Sequence, residues 1–178
     1  MGISYLIMTM NPSQTIFNAD TFIIEGRQKW PNVDSYRWEI AGNGSDAALD
    51  VHPPTASSFI IDHFHKDHMI SVDGTPEQAA EVAAWVRSLL PNPNLDLWIL
   101  DNHLSGHTVL FPGITPEQVL DNWVDHREHD PYIEYPPVLP LALPALQHIG
   151  GRITAAHSIR SPMLKEAPTA HLMVIQEI

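Results

Sequence analysis

Gly74-Thr75-Pro76-Glu77-Gln78 opens an apolar pattern that reaches Trp85-Val86, and Thr115-Pro116-Glu117-Gln118, forty residues on, opens a second that reaches Trp123-Val124. Each is a helix start with a physical cause. Threonine accepts hydrogen bonds as the N-cap, proline fits the first helical position, and glutamine three residues after the cap closes a capping box. The glutamate in the first turn faces the positive end of the helix dipole. The first helix is predicted from about Pro76 to Leu90, with Val82, Trp85, Val86 and Leu89 on its apolar face, stopped by Pro91 and Pro93. The second is predicted from about Pro116 to His126, with Val119, Leu120, Trp123 and Val124 on its face.

Before each helix lies a pair of β-branched and aromatic runs separated by turn formers. Ser58–His65 can pair with His68–Val72 across Lys66-Asp67, and Leu95–Leu100 with His107–Phe111 across Asp101–Gly106. Ser35–Ala41 and Ala47–His52 read as two further strands joined by Gly42–Ser45, with Asn43-Gly44 as a tight-turn signal. Residues 15–30 stay open between a strand and a short helix. The middle of the chain is β-β-α-β-β-α, so the expected fold is α+β, an antiparallel sheet with two helices packed on one face.

The chain has 178 residues, is 44 % hydrophobic and 17 % charged, and contains no cysteine. That length buries a core without staples, and the missing thiols exclude disulfides, thiolate zinc sites and cysteine nucleophiles. Tyr5–Met8 is too short and lacks the basic flank for a secretory signal, and no run is long enough to span a membrane. The formal charge of −12 is not evenly spread. Residues 1–130 hold 18 acidic and 6 basic side chains, whereas residues 131–178 hold 3 of each and 7 of the 16 prolines. The expected organisation is an α+β domain over 1–130 and a Pro-rich extension over 131–178 that packs on or wraps it, with His171–Ile178 as a candidate last strand. The acidic field repels nucleic acid and anionic lipid and attracts basic partners.

One stretch carries a metal-ligand pattern. His63-Phe64-His65-Lys66-Asp67-His68 is similar to the H-x-H-x-D-H motif of the metallo-β-lactamase superfamily, in which such residues bind zinc and activate water. That makes His63, His65, Asp67 and His68 the ligand set of an alternative hydrolase reading. Against it, Met69–Val72 reads as the returning strand of a hairpin, which leaves Lys66-Asp67 as a hairpin tip. The chain holds eleven histidines. His103 and His107 sit in or near loops, and His126 and His129, at i, i+3, read as a charged helix C-terminus. No G-x-S-x-G elbow and no phosphate-binding glycine loop occurs. Of the five tryptophans, Trp85 and Trp123 are expected in the core, and Trp30, before Pro31, is the candidate exposed aromatic anchor.

Over Tyr36–His126 the chain resembles the small acidic immunity proteins that protect bacteria from polymorphic or secreted toxins. The resemblance rests on the paired strands ending Ile70–Gly74, the Thr75–Leu90 helix with Ala83-Ala84-Trp85, Leu97-Trp-Ile-Leu100 and Pro112-Gly-Ile-Thr115. It implies a cytoplasmic, noncatalytic protein without a cofactor that occludes the active site of a cognate toxin. The toxin classes implied are nucleases and NAD-glycohydrolases with basic clefts, with no nucleic acid or membrane as partner. The residues expected to meet the toxin are Asp67, Asp101, Asn102, His103 and Trp30. A structural or adaptor domain is the remaining reading.

Overall fold

The computed structural model describes residues 4–38, 44–64 and 66–130. The chain opens with β1 (Ser4–Thr9) and α1 (Ala19–Lys29), then runs β2 (Val33–Arg37), β3 (Ser45–Val51), β4 (Phe59–Phe64) and β5 (Met69–Asp73) in succession. Helix α2 (Pro76–Ser88) leads to β6 (Leu97–Asp101) and β7 (Gly106–Val109), and α3 (Pro116–Asp121) to the short β8 (Val124–Asp125). All described strands join one antiparallel sheet in the order β2-β3-β4-β5-β1-β6-β7-β8. The α+β class and the antiparallel sheet agree with the sequence. The helices number three among the described residues, not two, because 15–30 resolves into α1. The Pro-rich extension and its candidate last strand lie outside the described residues, as does part of the Gly42–Ser45 turn.

β1 occupies the middle of the sheet, and every one of its side chains is buried. A strand covered on both faces reads as a continuous apolar run rather than an alternation, which is why Tyr5–Met8 carries no strand signature of its own. β5 and β6 both run antiparallel to β1 and therefore parallel to each other. A parallel pair needs a crossover, and α2 supplies it over one face of the sheet. Its apolar stripe, Ala79, Val82, Ala83 and Val86, is fully buried against Tyr5, Ile7, Val72 and Ile99. The Thr75 capping box forms as expected: Thr75 Oγ1 accepts from the Gln78 amide at 3.3 Å, and the Gln78 side chain accepts from the Thr75 amide at 2.8 Å.

Helix α1 starts at Asn18, whose side chain accepts from the Thr21 amide at 2.9 Å. It buries Ala19, Phe22 and Gly26. A methyl group at Gly26 would collide with the Leu49 side chain, so the glycine lets helix and sheet approach closely. That same glycine weakens the helical signal in the sequence.

The second predicted helix is shorter than expected. It ends at Asp121, and Val124 and Asp125 pair with His107 and Gly106. Trp123 turns inward, edge-on to Tyr5 with ring centroids 6.3 Å apart, and lies over Gly106. His126 and His129 are therefore not at a helix C-terminus. Val124 gains a ladder partner in β7, and the β-branched side chain suits the strand better than a fraying helical turn.

Two outcomes check this account. Gly106→Ala puts a methyl group into the Trp123 ring and the Val124 carbonyl, where backbone cannot give way. It is expected to cost about 2 kcal/mol in urea unfolding, and an unchanged midpoint would contradict the packing. Hydrogen bonds from Thr75 and from its own amide hold the Glu77 carboxyl below its ordinary range. A depressed carboxyl stabilises the fold above its unfolded value, and that contribution disappears as pH falls through the folded one. Thr75→Ala should raise the Glu77 value in an NMR titration and lower stability by about 1 kcal/mol at neutral pH.

Candidate functional site

The motif His63–His68 lies where β4 turns into β5, with Lys66 and Asp67 at the tip, both in the left-handed region at φ 81° and 56°. His65 lies outside the described residues. His63 is fully buried between the Phe17 and Phe22 rings, at 6.5 and 5.4 Å between centroids. Its Nδ1 lies 2.7 Å from Asp46 Oδ1 and its Nε2 2.8 Å from the Phe17 carbonyl oxygen. A carbonyl only accepts, so Nε2–H donates to Phe17. The second nitrogen is engaged by Asp46 whichever of the two holds the proton between them. Neither nitrogen offers a lone pair to a metal ion, so His63 does not serve as the zinc ligand of the alternative reading in this arrangement. Arg37 Nη1 stands 3.4 Å from Asp46 Oδ2 and completes a polar network under α1. Its effect is to tie the chain entering α1 to β3 and β4.

Asp67 is partly exposed, with its carboxylate 3.6 Å from His63 Nε2. Its carbonyl accepts from the Ile16 amide at 2.6 Å, so the hairpin tip anchors the same entry into α1.

The second expected tip differs more. Asp101 is only 5 % exposed. Its carboxylate accepts from the Ser105 amide at 2.7 Å and from the Ser105 hydroxyl, closing the loop over Leu104, a left-handed residue at φ 55°. It is therefore a loop cap and not a steering charge, which corrects its place among the contact residues. Asn102 is partly buried, its amide donating to the Ser4 carbonyl at 2.8 Å, and His103 is exposed. Trp30 is also corrected: it is 7 % exposed and packs edge-on to Trp85 at 4.9 Å and to Phe59 at 6.2 Å. The proline after it ends α1 and does not push the ring into solvent.

Beyond the loop, His107 is buried against Trp98, with ring centroids 4.4 Å apart, and its Nδ1 lies 2.8 Å from His126 Nε2. His126 Nδ1 reaches the Leu104 carbonyl oxygen at 2.7 Å. Since that carbonyl only accepts, His126 donates from Nδ1 and accepts at Nε2 in its neutral form. The chain of rings fastens β8 to β7.

The sheet face away from the helices carries what the sequence missed. On β2, at one edge of the sheet among the described residues, and at the residue just after it, Tyr36 and Trp38 are 47 % and 44 % exposed and stack with ring planes 13° apart. Asp34 precedes them on the same face. Asp50 on β3, Ile60 and Asp62 on β4 and Asp73 on β5 continue it, through the registers Asp34↔Asp50, Asp50↔Ile60 and Ile60↔Asp73. Ile60 is exposed, and a shallow groove of about 390 Å³ runs beside it, bordered by Asp50, Ser58, Asp73, Thr75 and Gln78. His52 Nε2 sits 3.5 and 3.6 Å from the Asp34 and Asp50 carboxylates. The alternation of Asp34, Tyr36 and Trp38 marks one strand face in the sequence, but only the strand order puts that strand at an edge.

Among the described residues, no helix is long and apolar enough to cross a membrane, and no group of three or more His, Asp or Glu side chains is arranged to hold a metal ion. No family model, curated protein or solved structure matches this chain.

His63→Leu removes one partner of a buried polar pair, and Asp46 loses the contact with His63 Nδ1. The expected loss is about 3 kcal/mol in urea unfolding. A loss below about 0.5 kcal/mol, the range of ordinary surface substitutions, would remove His63 from the structural network.

Proposed function

We infer that this chain is a noncatalytic binding module that neutralises a basic partner enzyme, in the manner of an immunity protein, through the open face of β2 to β5. The observation that carries the reading is the stacked Tyr36–Trp38 pair beside four aspartates. Exposed Tyr and Trp are the side chains that most often anchor protein interfaces, because they bury large area at low rotamer cost. Asp34 and Asp50 lie next to that anchor, and Asp62 and Asp73 extend the negative face across β4 and β5; such potential accelerates encounter with a cationic cleft and selects against acidic partners. The edge position of β2 leaves a backbone rim for an added strand. Asp67 and His103 remain candidates for the periphery of the contact, and the contact moves from the loop tips to the sheet.

The test pairs the chain with a secreted nuclease or NAD-glycohydrolase toxin domain encoded beside it. Stoichiometric inhibition is expected, with an association rate that falls about tenfold between low and high salt. Trp38→Ala should weaken binding roughly 30-fold, the scale of an interface anchor, and Asp50→Lys should slow association. Binding without inhibition would favour the adaptor reading. Undiminished toxin activity in the presence of excess protein, or full potency of a Tyr36→Ala/Trp38→Ala variant, would sink the proposal.

A further inference from the structure

β2 pairs with β3 along its whole length, from Val33↔Val51 to Arg37↔Ala47, without a register shift. The ladder continues one residue past each end. There the Trp38 amide donates to the Asp46 carbonyl and the His52 amide to the Asn32 carbonyl, at 2.9 Å each. In an antiparallel pair, hydrogen-bonded and non-hydrogen-bonded residues alternate. Asn32, Asp34, Tyr36 and Trp38 therefore direct their backbone groups toward β3, and Val33, Ser35 and Arg37 direct theirs away from it. Among the described residues, no strand lies on that outer side.

Proteins commonly blunt the outer strand of a sheet by shortening it, or with proline, lysine or a bulge. β8, at the other end of the described sheet, is two residues long. β2 is five residues long, contains no proline or lysine, and pairs with β3 without a bulge. Its helix-side side chains hold it in place. Arg27 of α1 donates to Ser35 Oγ, and Arg37 stands 3.4 Å from Asp46 and 3.8 Å from Asp20. The strand is thus presented in an extended, fixed form. Charge decides what it can receive. A second copy pairing β2 with β2 would set two acidic faces edge to edge in a chain of net charge −12, which repels. A basic segment meets opposite charge instead. Side chains of an added strand alternate between faces. Every second residue would lie beside Asp34, Tyr36 and Trp38, where arginine pairs with the carboxylate and lies flat on the rings.

We propose that the partner binds by adding an extended segment with basic residues at alternate positions, antiparallel to β2, through the outward backbone groups of Val33, Ser35 and Arg37. Antiparallel addition continues the ladder already present. This rests on the reading of the chain as a binding module for a basic enzyme, and it states the form in which that enzyme meets the sheet.

The probe is a blocked peptide of alternating arginine and valine, about eight residues long so that it covers the strand. It is titrated into the isotope-labelled full chain, and amide hydrogen exchange is followed by NMR. Exchange at Val33, Ser35 and Arg37 is expected to slow about tenfold or more as the peptide saturates. The Asp34 and Tyr36 amides, already bonded to β3, should change little. Directly opposed residues share a face, so with the arginines on the open face the valines make the hydrogen bonds to β2. Methylating the valine nitrogens should therefore abolish the protection, and methylating the arginine nitrogens should leave it, although the charge is the same in both. Absence of binding, or equal protection by both methylated peptides, would overturn strand addition. So would slow exchange at the three amides before any peptide is added: dependence on protein concentration would then place a second copy at the edge, and independence would place the chain itself there. Peptide binding without protection of these amides would also overturn it, yet leave the acidic face as a binding surface. Inhibition of the toxin domain by the chain tests that broader reading separately.

Discussion

β1 is the constraint on which the other elements depend. The chain places its first strand in the middle of the sheet, where Tyr5 to Met8 pair with β5 on one side and β6 on the other. Neither flank can be completed until residues more than sixty and about ninety positions later have returned. The four-strand meander β2 to β5 must therefore end beside β1, and α2 must then carry the chain over it to begin β6. The main core forms between that crossover and the sheet, with Ile7, Leu49, Ile61 and Val72 fully buried beneath α1 and α2. Each such side chain contributes roughly 1.5–3 kcal/mol relative to exposure. The long sequence separation of these contacts predicts that closure of the sheet around β1 is a late, non-local step.

The polar side chains inside the fold serve the same closure. His63 and Asp46 join the α1 entry to β3 and β4, Asp101 closes the loop after β6, and the His107–His126 pair holds β8 to β7. Arg87, at the end of α2, is buried and donates to the carbonyls of Leu90 and Asn92 at 2.9 Å each, fixing the path toward β6. Burial lowers its pKa, and a guanidinium remains charged even so. Several of the histidines that look like chemistry in the sequence are thus hydrogen-bonded struts.

The outer face divides the remaining work. Its β1-centred half is apolar and shielded from water, and its β2-side half presents aromatic rings among carboxylates. On the proposed reading, the net charge of the domain raises the encounter rate with a basic partner, while Tyr36, Trp38 and Ile60 supply the buried area that slows dissociation. The groove beside Ile60 is shallow, which suits a protein surface better than an enclosed small molecule.

What the sequence determined by itself is local. The two Thr-Pro-Glu-Gln caps, the hairpin pairs about Lys66-Asp67 and Asp101–Gly106, and the α+β antiparallel class all rest on hydrogen bonds and periodicities that span a few residues, and they stand in the structure. What only the tertiary structure decided is non-local. The central place of β1 is hidden because a strand buried on both faces loses its alternation. The early end of α3 depends on Val124 finding β7. The burial of Trp30 and Asp101 depends on Trp85, Phe59 and Ser105 meeting them. The candidate surface shows the same division: alternation puts Asp34, Tyr36 and Trp38 on one face of a strand, but their exposure follows from strand order, which no short-range pattern encodes.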